Sequence, residues 1–147
     1  MNLILYYLFV YLIEAIILWL YCNRIFTSRK NTFLSLLITI GMFSLLIPVA
    51  ILTNAALNAF CSFIVYLCCI VLNYDSKPVW ALFHALALTI LMALSEGLIA
   101  AAIPDITIYA FRDGNIHSSA FTFVILSKSV YLCICLLYTS DAADDKA

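Results

Sequence analysis

The sequence predicts an all-α, polytopic transmembrane helix bundle of about five spans, with the N-terminus outside and the C-terminus inside. Three observations lead there. Of 147 residues, 67% are hydrophobic and 10% charged, with mean hydropathy +1.14. A soluble domain is nearer half apolar and a quarter charged. The apolar residues fall into runs at about 3–22, 32–52, 55–72, 79–103 and from 119 to 134 or beyond. Each is close to the length that crosses a bilayer as helix. Finally, Arg24, Arg29, Lys30 and Lys77 lie in the first and third connections, against Arg112 alone in the fourth. Short connections rich in Lys and Arg stay cytoplasmic, which fixes the predicted orientation.

The first run opens at Leu3 with no basic residue before it and no small-residue cleavage pattern after it. It reads as a span rather than a secretory signal. It is rich in Tyr and Leu, and Glu14 lies near its midpoint. Residues 23–31 form the inner basic loop. Pro48 near the outer end of the second run should kink the helix or end it early. A tight outer turn is expected at Thr53 and Asn54. The third run carries Asn54, Asn58 and Ser62 at steps of four, a polar edge on its outer half. Residues 73–77 return the chain to the inside.

The fourth run lies between Pro78 and Pro104. Pro78 suits a first helical turn and Pro104 a stop. Ala81, Ala85, Thr89, Ala93, Gly97 and Ala101 recur every fourth residue. Small residues let helix backbones approach closely in lipid, so this ridge is expected to pack on span 3 or span 5. Glu96 sits beside the ridge and should face protein. Residues 105–118 are expected to be the longest connection, with Asp105, Arg112 and a turn at Asp113-Gly114-Asn115. The fifth run begins near Ser119 and carries Lys128.

The net charge of −1 leaves no broad basic surface for nucleic acid. None of the six cysteines has the paired spacing of a zinc site, so no metal is expected and they read as small hydrophobes. There is no Gly-rich phosphate loop, no aqueous Ser/His/Asp arrangement and no His-Glu-x-x-His. No catalytic residue and no cofactor are assigned to this chain.

Ionisable groups within spans are the functional suspects, because each costs roughly 2.5–3.5 kcal/mol to insert near the bilayer centre. Glu14, Glu96 and Lys128 qualify. Glu14 and Lys128 should share a depth, with Glu96 about 8 Å further out at about 1.5 Å per residue. Asn58 and Ser62 fall near its level. Structural glue, in which a neutral Glu96 bonds Asn58 and Lys128 pairs with either acid or snorkels, is one use. A ligand site and an ion path are others. A ligand-facing surface would gather Asn54, Asn58, Glu96, Asp105 and Arg112. His84 reads as an intramembrane packing residue, set too deep to serve as a phospho-acceptor.

From Cys135 the chain reads Cys-Leu-Leu-Tyr-Thr-Ser-Asp-Ala-Ala-Asp-Asp. This string resembles a translated transposon-adapter sequence used in DNA library preparation. Residues 135–147 are therefore read as a non-native tail and set aside from fold reasoning. The natural chain is expected to continue past Ile134. Without that tail, which holds three acids and one lysine, the charge becomes +1.

The basic loop after span 1, the Lys77-Pro78-bounded fourth span with Leu94-Ser95-Glu96-Gly97, and Leu126-Ser127-Lys128 in span 5 resemble one family. They are similar to the N-terminal membrane region of Agr-type peptide-pheromone sensor histidine kinases of Gram-positive bacteria. The resemblance covers residues 3–134. It implies a multi-pass protein of the bacterial cytoplasmic membrane, commonly a homodimer, that detects an extracellular peptide. It also implies a following GHKL-type kinase domain, where ATP and Mg would act. A competing class, supported by the embedded charges and the short-looped spans, is a subunit or fragment of a small multi-span transporter or membrane-assembly protein; a third is a structural multi-span protein with no ligand.

Overall fold

The computed structural model describes residues 3–52, 54–110 and 118–144. In chain order these form α1 (Leu3–Ile25), β1 (Thr27–Ser28), α2 (Thr32–Ser44), α3 (Leu46–Ile51), α4 (Ala55–Asn73), β2 (Tyr74–Asp75), α5 (Pro78–Ala102), α6 (Pro104–Ala110) and α7 (Ser118–Asp144). Five helical segments are long and apolar enough to cross a membrane: Leu3–Ile25, Thr32–Ile51, Ala55–Asn73, Pro78–Ala102 and Ser118–Asp141. The protein is an all-α, multi-pass membrane bundle.

The prolines set the breaks. The second span is split at Leu45, whose N–H turns back to the Met42 carbonyl at 3.3 Å. Pro48 explains the position: its ring crowds the carbonyl four residues earlier, that of Ser44, and offers it no N–H. Pro78 occupies the first turn of α5. Ile103, just before Pro104, leaves the helix with φ −135° and ψ 69°, outside the α region that a following proline disfavours. Here the expected connection needs correction. Pro104 ends α5 but also begins α6, so residues 104–110 are helical. The missing N–H and fixed φ that stop one helix suit the first turn of the next. α7 runs unbroken through residues 135–144.

α1 packs on α2, α3 and α7, while α5 packs on α4 and α7. The interior centres on Leu18, Tyr66, Ile70, Leu88 and Tyr131. The outside is apolar: Leu5, Phe60, Leu86, Leu94 and Leu98 are all exposed. Such a continuous apolar exterior is a liability in water and the normal surface in lipid.

The connections 26–31 and 74–77 meet at one end. β1 and β2 pair antiparallel, Thr27 opposite Asp75 and Ser28 opposite Tyr74. Arg29 bridges Asp75 at 3.1 Å, and the Tyr74 hydroxyl donates to Asn23 Oδ1 at 3.1 Å. Burial pushes the Tyr74 hydroxyl up from 10.0 to about 12. The basic connections thus share one end of the bundle, which the charge rule assigns to the cytoplasm.

The small-residue ridge does not pack along its whole length. Ala81 and Ala85 are fully buried, but Ala93, Gly97 and Ala101 are exposed. A Cβ added at Gly97 would meet nothing within 4 Å. The reason is geometric. At 3.6 residues per turn, a step of four advances about 40° beyond a full turn. Five steps swing the ridge roughly 200° around the helix. The buried stripe is instead Ala81, Ala85, Leu88, Met92, Ser95 and Ile99, which alternates steps of three and four.

Candidate functional site

The site lies towards the end opposite the β1–β2 ribbon. A cavity of about 570 Å³ opens between α1, α4, α5 and α7. That volume is within the range of small-molecule and peptide side-chain sites. α1 supplies Tyr6, Tyr7, Tyr11 and Glu14, and α4 supplies Asn58 and Ser62. α5 adds Met92 and Glu96, and α7 adds Phe123 and Val124. The walls are apolar and aromatic, with a few polar groups.

At its deep side stands an ion triad. Lys128 Nζ lies 2.5 Å from Glu14 Oε1 and 2.5 Å from Glu96 Oε1. Three helices, α1, α5 and α7, are thereby joined through one ammonium. Lys128 and Glu14 are almost wholly enclosed, whereas the Glu96 side chain is 40% exposed. Glu14 Oε2 is buried with no hydrogen-bond partner among the described residues. Both acids line the cavity, but the lysine does not. Lys128 instead lines a smaller apolar groove between α1 and α7, beside Ile13, Ile17 and Leu132. The lysine's reach spans the offset in depth expected for Glu96.

The polar edge of α4 is used differently from the sequence expectation. Asn58 does not bond Glu96; its Oδ1 accepts from the Tyr11 hydroxyl at 2.8 Å. Lys128 has taken Glu96 instead, a stronger charge-assisted bond. Asn54 lines the cavity mouth, yet its side chain caps α4 by accepting from the Leu57 N–H at 3.0 Å. Ser62 is fully buried, lines the cavity and leaves its Oγ without a partner among the described residues.

Two residues assigned to the ligand surface stand elsewhere. Asp105 is exposed on α6 and does not line the cavity. The helical turn begun by Pro104 carries it away from the α5 face that holds Glu96. Arg112 lies outside the described residues. His84 sits at the basic end, where its Nδ1 is 2.7 Å from the Tyr21 hydroxyl. Phe26, Trp80 and Phe83 pack around its ring at centroid distances of 5.0, 6.2 and 5.6 Å. It is remote in the fold from the triad.

The tyrosines were the residues that sequence reasoning missed as site members. Tyr7 and Tyr11 stack at a centroid distance of 6.3 Å, and Tyr6 meets Tyr7 edge-on at 5.3 Å. The signal was available. Tyr7, Tyr11 and Glu14 follow steps of four and three, one face of α1.

No known protein family, curated protein or solved structure matches the chain. The class defined by fold and site is a multi-pass membrane protein with a polar-floored cavity between its helices.

Proposed function

We propose that these five spans are the signal-sensing membrane region of a bacterial sensor histidine kinase, receiving an extracellular peptide. One observation carries the reading: the cavity of about 570 Å³ opens away from the basic connections, on the side the charge rule leaves outside the cell. Tyrosines and apolar side chains offer a peptide its contact area, and the two acids, Asn58 and Ser62 fix its orientation. The kinase half of the proposal rests on the resemblance in the basic loop, in Leu94–Gly97 and in Leu126–Lys128. On this reading the spans bind and relay, commonly as a homodimer in the cytoplasmic membrane. Chemistry with ATP belongs to a domain beyond them.

The test is to sequence the source gene through the codon for Ile134. A phospho-acceptor histidine followed by an ATP-binding domain supports the proposal. Further apolar spans forming an inverted repeat would replace it with a transporter. A native frame reading on into Tyr138-Thr139-Ser140 and then stopping removes the support for a kinase.

A further inference from the structure

The cavity's charge is lopsided. Glu14 and Glu96 both line it, while among the described residues that line it there is no lysine or arginine. Lys128, their shared partner, approaches from behind, through the groove between α1 and α7. Two carboxylates against one ammonium leave the triad with a formal surplus of one negative charge, and Glu96 is its member open to the cavity. A buried carboxylate oxygen without a donor is costly, and Glu14 Oε2 is such an atom. Ser62 Oγ, which α4 contributes to the same cavity's lining, is a second enclosed atom without a partner among the described residues. Tyr7 and Tyr11 add aromatic faces, to which cations are attracted.

We infer that the cavity takes an amphipathic ligand bearing a primary ammonium, which docks between Glu14 and Glu96 while its apolar body lies against the tyrosines. For a peptide signal this is the N-terminal amine. The inference rests on the receptor reading above and narrows its ligand. The ammonium donates three hydrogen bonds in a cone. A Glu96 oxygen is the acceptor open to the cavity, and Glu14 Oε2 and Ser62 Oγ are the enclosed acceptors left for the ammonium's remaining protons. The site would discriminate against any ligand whose amine is blocked, because a neutral amide neither balances the surplus charge nor satisfies both acids.

The experiment uses the full chain in lipid nanodiscs and a pair of probes, the tetrapeptide amide Leu-Phe-Leu-Phe with its N-terminus free or acetylated. Binding is read by calorimetry against empty nanodiscs, which report only partitioning. The expected result is saturable binding of the free amine at least tenfold tighter than the acetylated form. Glu96→Gln should abolish that preference. Equal affinity for the two forms in the native chain overturns the ammonium assignment and leaves the cavity standing as a receptor site. Saturable binding of neither overturns both. The native-chain comparison decides the matter even where Glu96→Gln fails to fold.

Discussion

Replacing Lys128 by Met tests how the bundle is held together. Methionine matches the length of the lysine stem, so packing is kept and only the ammonium is lost. The charge centres of Lys128 and either acid lie roughly 3–4 Å apart, and at an effective dielectric near 20 each pair attracts by about 4–5 kcal/mol. Desolvation of three charges consumes most of this. The cost of the substitution is set instead by what it leaves behind. Glu14 is 2% exposed, and without Lys128 it becomes a buried charge with no partner. Breaking a buried pair in this way costs about 3–5 kcal/mol. Glu96, at 40% side-chain exposure, rehydrates and adds no more than about 1 kcal/mol. Lys128→Met should therefore lose about 3–5 kcal/mol in SDS-titrated unfolding followed by tryptophan fluorescence. Glu14→Gln with Lys128→Met removes the orphan charge, so the double variant should recover at least about 2 kcal/mol of the loss. A loss under about 1 kcal/mol for Lys128→Met, or losses that simply add in the double variant, would refute the triad as a structural tie.

Other outcomes follow from the same geometry. Gly97→Leu should change stability by less than about 0.5 kcal/mol, since the site is open and glycine is a poor helix former; Ala85→Leu at a fully buried position should cost about 1–3 kcal/mol by overpacking. Similar losses for both in thermal unfolding would restore the unbroken ridge. In a cysteine-free background, Arg29→Cys should resist an impermeant thiol reagent applied to intact cells and Asp113→Cys should react; labelling of position 29 alone inverts the orientation. The raised Tyr74 ionisation means its folded form stays neutral beyond the unfolded value, so its contribution is complete below pH 10 and lost as pH rises towards about 12. Tyr74→Phe should flatten that stretch of the stability–pH curve; an unchanged slope would place the alkaline transition elsewhere.

Much of the fold was legible because lipid imposes it. Span length, proline punctuation and loop charge are one-dimensional properties, and all five spans could be counted from them. Neighbour relations were not legible. Glu14, Glu96 and Lys128 each announced themselves as charges in apolar helices, and their depths made a meeting feasible. That the lysine would bridge both acids depended on the rotation of α5 and on α7 lying against both α1 and α5. The Asn58–Glu96 bond failed for the same reason: nothing in α4 alone reveals that Tyr11 of α1 reaches Asn58 first. The ridge misled because a four-residue period looks like a helix face over two turns and unwinds over five. The β1–β2 ribbon, two residues on each side, is too short to leave any alternating pattern in the sequence.

On the proposed ligand chemistry, the triad's position ties stability to ligand reading. Lys128 is shared, so the two acids compete for it across the α1–α7 and α5–α7 contacts. Glu14 has no aqueous alternative, whereas Glu96 is open to the cavity. On the proposed ligand chemistry, an incoming ammonium is met first by Glu96 and weakens that acid's hold on Lys128. The lysine is then retained by Glu14 alone. The bond given up lies between α5 and α7, and the bond kept lies between α1 and α7. Binding would thus loosen one helix pair selectively, a differential contact of the kind any ligand-driven shift between two states requires. Glu96→Gln makes the same break without a ligand. Cysteine pairs placed across α5 and α7 near the triad should then cross-link more slowly in Glu96→Gln than in the native chain, while pairs across α1 and α7 keep their rate. Equal slowing at both seams would mean that the triad acts as one rigid tie and cannot report occupancy of the cavity.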